Sequence, residues 1–344
     1  MLTPAPELLL RLPKSELHVH LDGSLRPGTL LALAHERDVE LPARSAADLA
    51  DHMLVSDASS LEEYLQRFEV TLAVMQDADA LERIAYELAE DHAAENVLYV
   101  EVRFCPALNT AKGLASSEAV EATLRGLARA KQDLGIQSGV IVCALRSHAP
   151  SRSLEMADLA VGYAPHGVCG FDLAGAEAGN PVADHIASFE RASRAGVPIT
   201  IHAGEGYGAE SIRQAVEVGH ARRIGHGTRL HEDRALMELI AARGIPLETC
   251  LTSNVQTRVV TSHGDHPARL YLDEGLTVCL GTDNRLMSGV TLTQEYEHAR
   301  DELDLTWKEL VAVARAGFEH AFVDPATRVE LLRRFDQDVA AIES

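Results

Sequence analysis

Eight short apolar runs, separated by helical segments, constrain this 344-residue chain more than any other feature. The first is Glu16-Leu17-His18-Val19-His20-Leu21-Asp22-Gly23, where apolar and polar residues alternate with the period of a strand. The others are residues 97–104, 137–144, 168–173, 197–202, 223–227, 245–250 and 276–281. Helical segments lie between them at 119–134, 182–195, 209–219, 232–243 and 266–274. Eight β-α units in a chain of this length predict an α/β fold, a closed parallel (β/α)8 barrel; a doubly wound open sheet is the alternative.

The rest of the chain attaches to that frame. Pro27 sits in the first turn of a helix expected over 28–37. Residues 45–95 carry helical periodicity and form a helical insertion after the first strand. In it Leu61, Tyr64, Leu65, Phe68, Leu72 and Met75 make one apolar stripe. The stripe either packs on the barrel or serves as a lid over the first strand's end. From about Thr291 the chain is helical, at 294–303, 307–318 and 325–342. No linker, internal repeat or low-complexity tract divides it, so residues 1–344 are expected to form one domain.

Hydrophobic residues make up 46% of the chain but aromatics only 4%, so aliphatic side chains must fill the core. A formal net charge of −21 repels phosphate backbones and anionic lipid, which argues against nucleic-acid and membrane partners. The five cysteines, Cys105, Cys143, Cys169, Cys250 and Cys279, are scattered and form no C-x-x-C pair. They read as small buried hydrophobes in a reducing compartment. The N-terminal stretch Met1-Leu2-Thr3-Pro4-Ala5-Pro6-Glu7 has no basic region followed by an apolar one, and no apolar run is long enough to span a membrane. The expected location is cytoplasmic.

In a barrel of this kind chemistry lies at the C-terminal ends of the strands. Residues two apart on a strand point to the same side, so His18 and His20 aim two imidazoles at one point. Further polar residues end other strands: Asp172 and Gly175 on the fourth, His202 and Glu205 on the fifth, His226 on the sixth, Asp283 and Asn284 on the eighth. Singly these have plain explanations: a histidine bonded to a backbone carbonyl, an aspartate capping a helix. Together, at matching ends of one barrel, they describe a site. The remaining histidines lie mostly in helices or loops and read as solvated or locally hydrogen-bonded.

Three histidines and one aspartate make a first shell for zinc, with room for water as a further ligand. Zinc lowers the pKa of its water to about 7, which supplies hydroxide at neutral pH. Glu205, three residues after His202, faces the same space and can act as a proton donor if its pocket is dry. His226 is a fourth imidazole, suited to orienting the hydroxide or stabilising developing negative charge. This is machinery for hydrolytic attack on an electrophilic carbon.

The segments 18–23 (His-Val-His-Leu-Asp-Gly), 171–177 (Phe-Asp-Leu-Ala-Gly-Ala-Glu), 202–205 (His-Ala-Gly-Glu), 223–227 (Arg-Ile-Gly-His-Gly), 252–254 (Thr-Ser-Asn) and 282–284 (Thr-Asp-Asn) resemble, in order, those of the adenosine deaminase family of the amidohydrolase superfamily. The resemblance implies one Zn2+ per chain, held by His18, His20, His202 and Asp283. It implies Glu205, His226 and Asp283 as catalytic residues: Glu205 protonates purine N1, and His226 and Asp283 orient the water that adds at C6. It also implies His20, Asp22, Gly175 and Asn284 as substrate contacts. Gly175 would offer its N–H to N3, Asn284 would donate to N7, and Asp22 would face the 5′ region of the sugar. Many family members have aspartate where this chain has Asn284; an amide always carries donors, so the role is kept. The position argues against the adenine deaminase branch, which resembles a Ser-Asp-Asp-Pro pattern.

The expected substrate is a small purine nucleoside, adenosine or 2′-deoxyadenosine. The alternative is aminodeoxyfutalosine or another 5′-modified adenosine, such as methylthioadenosine or adenosylhomocysteine. A non-catalytic binding protein on a decayed barrel would have lost a ligand or the acid, and none is missing here. Other amidohydrolase reactions often use a second metal bridged by a carboxylated lysine; lysines are few and none stands at a strand end, which favours one zinc.

Overall fold

The structure, a computed structural model, describes residues 4–55 and 61–344, without the side chains of Glu62 and Glu63. Met1–Thr3 of the N-terminal stretch and residues 56–60 of the insertion lie outside the described residues. Eight strands form where the apolar runs predict them: β1 (Lys14–His20), β2 (Val97–Phe104), β3 (Gln137–Leu145), β4 (Val168–Ala174), β5 (Thr200–Ala203), β6 (Arg223–His226), β7 (Leu247–Thr249) and β8 (Val278–Leu280). Pairing is parallel throughout, in the orders β1-β2-β3-β4 and β5-β6-β7-β8. Two parallel bridges join these halves: Phe171 with Ile199, and Val19 with Asp283. At the second, His20 N donates to Asp283 O at 2.7 Å and Asp283 N donates to His18 O at 2.8 Å. The sheet therefore closes on itself as a barrel, and the open-sheet alternative is excluded.

Differences from the expected boundaries have local causes. β5 starts at Thr200 and β7 at Leu247 because Pro198 and Pro246 have no N–H for the ladder. Their carbonyls still accept, from Phe171 N at 2.9 Å and Ile224 N at 3.0 Å. β1 starts earlier, at Lys14, so one lysine does stand at a strand end; it lies at the end away from the site and donates to Leu9 O and Leu12 O, both at 2.8 Å. The helices Pro6–Arg11 and Pro150–Tyr163 go beyond the sequence reading, each with proline in its first turn. The insertion is shorter than 45–95. Ala78–Ala94 packs along Ser116–Leu134, the helix after β2, and so belongs to the outer ring.

The barrel lumen is not simply aliphatic. Glu101, Arg103, Asp172, Arg223 and Glu248 are all buried in it. Arg103 donates to Asp172 Oδ2 at 3.0 Å and to Glu248 Oε2 at 2.8 Å. Arg223 donates to Glu248 Oε1 at 2.6 Å and pairs with Glu101. Three carboxylates against two guanidiniums leave this layer negative, directly beneath the strand ends where the histidines gather.

Candidate active site

β1 brings His18 and His20 to the barrel mouth, and β5 brings His202 against both. His18 Nε2 lies 3.1 Å, and His20 Nε2 3.0 Å, from His202 Nε2. Asp283 Oδ1 lies 3.3 Å from His20 Nε2 and 3.6 Å from His18 Nε2. The four residues expected to share a metal thus converge on one point. The opposite ring nitrogens of two of them face carboxylates: His18 Nδ1 donates to Glu248 Oε2 at 2.8 Å, and His202 Nδ1 donates to Asp172 at 3.0–3.1 Å. A neutral imidazole has one N–H, so both Nε2 atoms carry lone pairs. Two lone pairs facing each other at 3.1 Å repel unless a cation lies between them. The cluster therefore fits a metal ion, and the carboxylate behind each ring is the arrangement that orients metal-binding histidines.

His226 enters from β6. Its donor atom, with those of His18, His202 and Asp283, also falls in a group within 4.8 Å. Its Nε2 lies 3.4 Å from Glu205 Oε2, however, and its Nδ1 meets the Asn254 side-chain amide at 3.1 Å. Two of these residues hold left-handed backbone: His226 at φ 62° and Asp283 at φ 58°. Non-glycine residues reach that region at a cost of about 1–3 kcal/mol, sustained only where the surroundings over-determine it. For Asp283 the two backbone hydrogen bonds to β1 do so, and Ser253 Oγ fixes the carboxylate by donating to Oδ2 at 2.7 Å.

Glu205 follows a sharp turn at Gly204, whose φ of 75° explains the glycine. The turn is held from β4's loop. The buried Glu177 carboxylate accepts from the backbone N–H groups of Gly204, Glu205 and Tyr207, each at 3.1 Å. Arg146 secures the other side, donating to His202 O at 2.5 Å. Gly23 needs no special backbone angle, since its φ is not positive, but a Cβ there would lie 1.7 Å from Asn284 Oδ1. It is a glycine because the Asn284 side chain crosses directly above it.

These groups open into a cavity of about 270 Å³. His20, Asp22, Gly175, His202, Glu205, His226, Asp283 and Asn284 line it, so every residue expected at the site except His18 and Asp172 faces this space. Five of the six stripe residues, Leu61, Tyr64, Leu65, Phe68 and Leu72, form its roof, while Met75 is core. The insertion thus covers the site. Burial pushes the Asp22 carboxyl up to about 7, and its Oδ1 has no partner. Burial, and then the neighbouring His18, holds His226 well below the ordinary histidine range, as a neutral ring. Burial opposes charge on Asp172 and Glu248, but His202 with Arg103, and Arg103 with Arg223, overcome it and keep both anionic.

Sequence reading leaves Arg103, Glu248, Asn254 and Glu177 without roles. The charged residues inside β2 and β7, runs otherwise apolar, were the available signal. Of the other histidines, His92, His185 and His266 are buried rather than solvated, each hydrogen-bonded. The five cysteines are free, and Cys169 alone is part-exposed. No described helix is long and apolar enough to cross a membrane.

The family model for adenosine deaminase matches residues 13–338. An adenosine deaminase from Clostridium acetobutylicum is 38% identical over 331 residues, covering 96% of this chain and 99% of that one. Among solved structures, adenine deaminase from Arthrobacter aurescens superposes with a TM-score of 0.89 at 29% identity, over 95% of this chain and 99% of that chain. A zinc-bound amidohydrolase from Burkholderia ambifaria gives a TM-score of 0.87 at 26% identity, over 98% and 94%.

Proposed function

The chain belongs to the adenosine deaminase family, and from that premise we propose that it hydrolyses the 6-amino group of adenosine and 2′-deoxyadenosine, giving the inosine nucleoside and ammonia. The observation that carries the reading is the convergence of His18, His20, His202 and Asp283 beside Glu205 and His226 in one cavity. We assign the first four to one zinc ion. His202 stands 3.0–3.1 Å, and Asp283 3.3–3.6 Å, from the Nε2 atoms of His18 and His20. The edge of a tetrahedron with metal–nitrogen arms of about 2.0–2.1 Å is about 3.3 Å. Zinc supplies a water of lowered pKa, about 7, at the barrel mouth.

The chain's own residues do the rest. Glu205, in its carboxylic acid form, gives a proton to purine N1, which makes C6 electron-poor. His226 and Asp283 orient the water whose oxygen bonds to C6. One proton of that water passes to the exocyclic nitrogen, the C6–N bond breaks to release ammonia, and the water's other proton returns to the Glu205 carboxylate, leaving a 6-oxo purine with its proton on N1. Gly175 offers a backbone N–H to N3 and Asn284 an amide donor to N7. The orphaned Asp22 Oδ1 suits a sugar hydroxyl. The roof excludes water from the reaction.

The cavity also separates adenosine from 5′-anionic relatives. Among the described residues no lysine or arginine lines it, while Asp22, Glu69, Glu205 and Asp283 do. In sequence, residues 56–60 and Glu62-Glu63 contain no lysine or arginine either. A 5′-phosphate, or the carboxylate of aminodeoxyfutalosine, would be buried unpaired among acids. The test is kcat/KM, read by ultraviolet absorbance, for adenosine, adenosine 5′-monophosphate and aminodeoxyfutalosine. Adenosine should lead by about 10²-fold or more, the cost of leaving one charge unpaired. Preference for either anion would overturn the specificity, and inertness towards all three would overturn the reaction.

A further inference from the structure

One chain of hydrogen bonds behind the site has no part in the chemistry above, and its directions can be read unambiguously from one end. Ala268 N, a backbone amide and so only a donor, points at His266 Nδ1 at 3.1 Å. His266 Nδ1 must therefore be an acceptor, and the proton of this buried ring lies on Nε2. His266 Nε2 meets the Asn254 side chain at 3.1 Å, which must there present its oxygen. Thr228 Oγ1 donates to the same Oδ1 at 2.7 Å. The other end of the amide, Nδ2, then donates to His226 Nδ1 at 3.1 Å. Since His226 Nδ1 accepts, the single proton of the neutral ring sits on Nε2, the atom facing Glu205 and the cavity.

We propose that Asn254 and His266 are positioning residues that lock His226 as its Nε2–H tautomer, so that this ring meets the oxygen adding at C6 as a hydrogen-bond donor and not as a base. The proposal rests on the deaminase reading for its consequence, but not for the tautomer itself. It explains why His226, although close enough, is not a ligand: a protonated nitrogen has no lone pair to give a metal. His20, with its Nε2 against His202 and Asp283, takes that place. It also assigns work to a histidine buried behind the cavity wall. Burial pushes His266 down to about 3, so it stays neutral and the relay keeps its direction across the working pH range. A fixed donor aimed at developing oxyanion charge needs no reorganisation during reaction.

The experiment is 15N NMR of the zinc-loaded full chain labelled at histidine, with the His226 signals assigned by their loss in His226→Gln. The expected spectrum shows His226 Nε2 as the protonated nitrogen and Nδ1 as the acceptor. Asn254→Asp places an acceptor oxygen where the amide donated and should transfer the proton to Nδ1. Zinc content should stay unchanged while kcat for adenosine falls by about 10²-fold or more, with little change in KM. His266→Leu, which leaves Thr228 Oγ1 as the remaining donor to Oδ1, a hydroxyl that can rotate, should give a mixture of both tautomers. A wild-type ring protonated at Nδ1 would overturn the proposal with no variant needed. So would an Asn254→Asp protein that flips the tautomer and keeps wild-type kcat. The NMR is recorded without substrate, so failure of the deaminase reading would appear separately, as an inactive wild type with the expected tautomer.

Discussion

The Nε2 atoms of His18 and His202 lie 3.1 Å apart although 184 residues separate them in sequence. Both rings use their other nitrogen to donate to a buried carboxylate, so the close pair consists of two lone pairs. Removing the metal from such a site leaves that repulsion in place. Dialysis against a chelator should abolish turnover and lower the melting temperature, and about one equivalent of zinc should restore both. His18→Ala should fail to retain the metal. A chelated protein with full activity and unchanged melting would contradict the assignment.

Glu205 contributes no ligand atom, so its effect can be separated from metal binding. Glu205→Gln should keep its zinc, as measured by atomic absorption, and lose about 10²–10⁴-fold in kcat/KM, the range for a general acid. A wild-type rate in this variant would remove Glu205 from the mechanism.

Arg103 touches no cavity atom, yet it bridges Asp172 and Glu248, the carboxylates behind His202 and His18. Arg103→Met removes the shared cation and leaves Asp172 buried without a guanidinium. Breaking a buried pair from one side costs about 3–5 kcal/mol. Urea unfolding should show a loss of that size, with weaker zinc affinity in a chelator competition. A variant as stable as wild type would show that Arg223 alone sustains the lumen.

Glu295 should make stability depend on pH. Burial pushes its carboxyl from 4.5 up to about 8, although it accepts from Leu251 N at 2.9 Å and Thr252 N at 3.2 Å. Between those two values the folded state binds the proton and the unfolded state does not. Its contribution is therefore full below about pH 4.5 and declines as pH rises towards 8. Relative to Glu295→Gln, the wild type should lose stability from about pH 5 to pH 8, at no more than about 1.4 kcal/mol per pH unit. A difference between the two that is flat with pH would refute the shift.

Much of this protein is legible in the order of its residues. The alternation of His18, Val19 and His20 places two rings on one side of a strand, because strand geometry has a period of two. Eight such runs, five of them with polar residues at the same end, specify the barrel and which end carries the chemistry. Where the reading slips, the cause is local: Pro198 and Pro246 shorten two strands, and Ala78–Ala94 shares the insertion's periodicity but joins the outer ring. Tertiary closure decided the rest. Glu248 serves a histidine 230 residues away, Gly23 is small because Asn284 lies over it, and the proton on His226 is placed by a backbone amide at Ala268 through two side chains. Sequence periodicity determines which way a side chain faces, since that follows from its own backbone. Which partner it meets depends on through-space contacts that exist only once β8 has paired with β1.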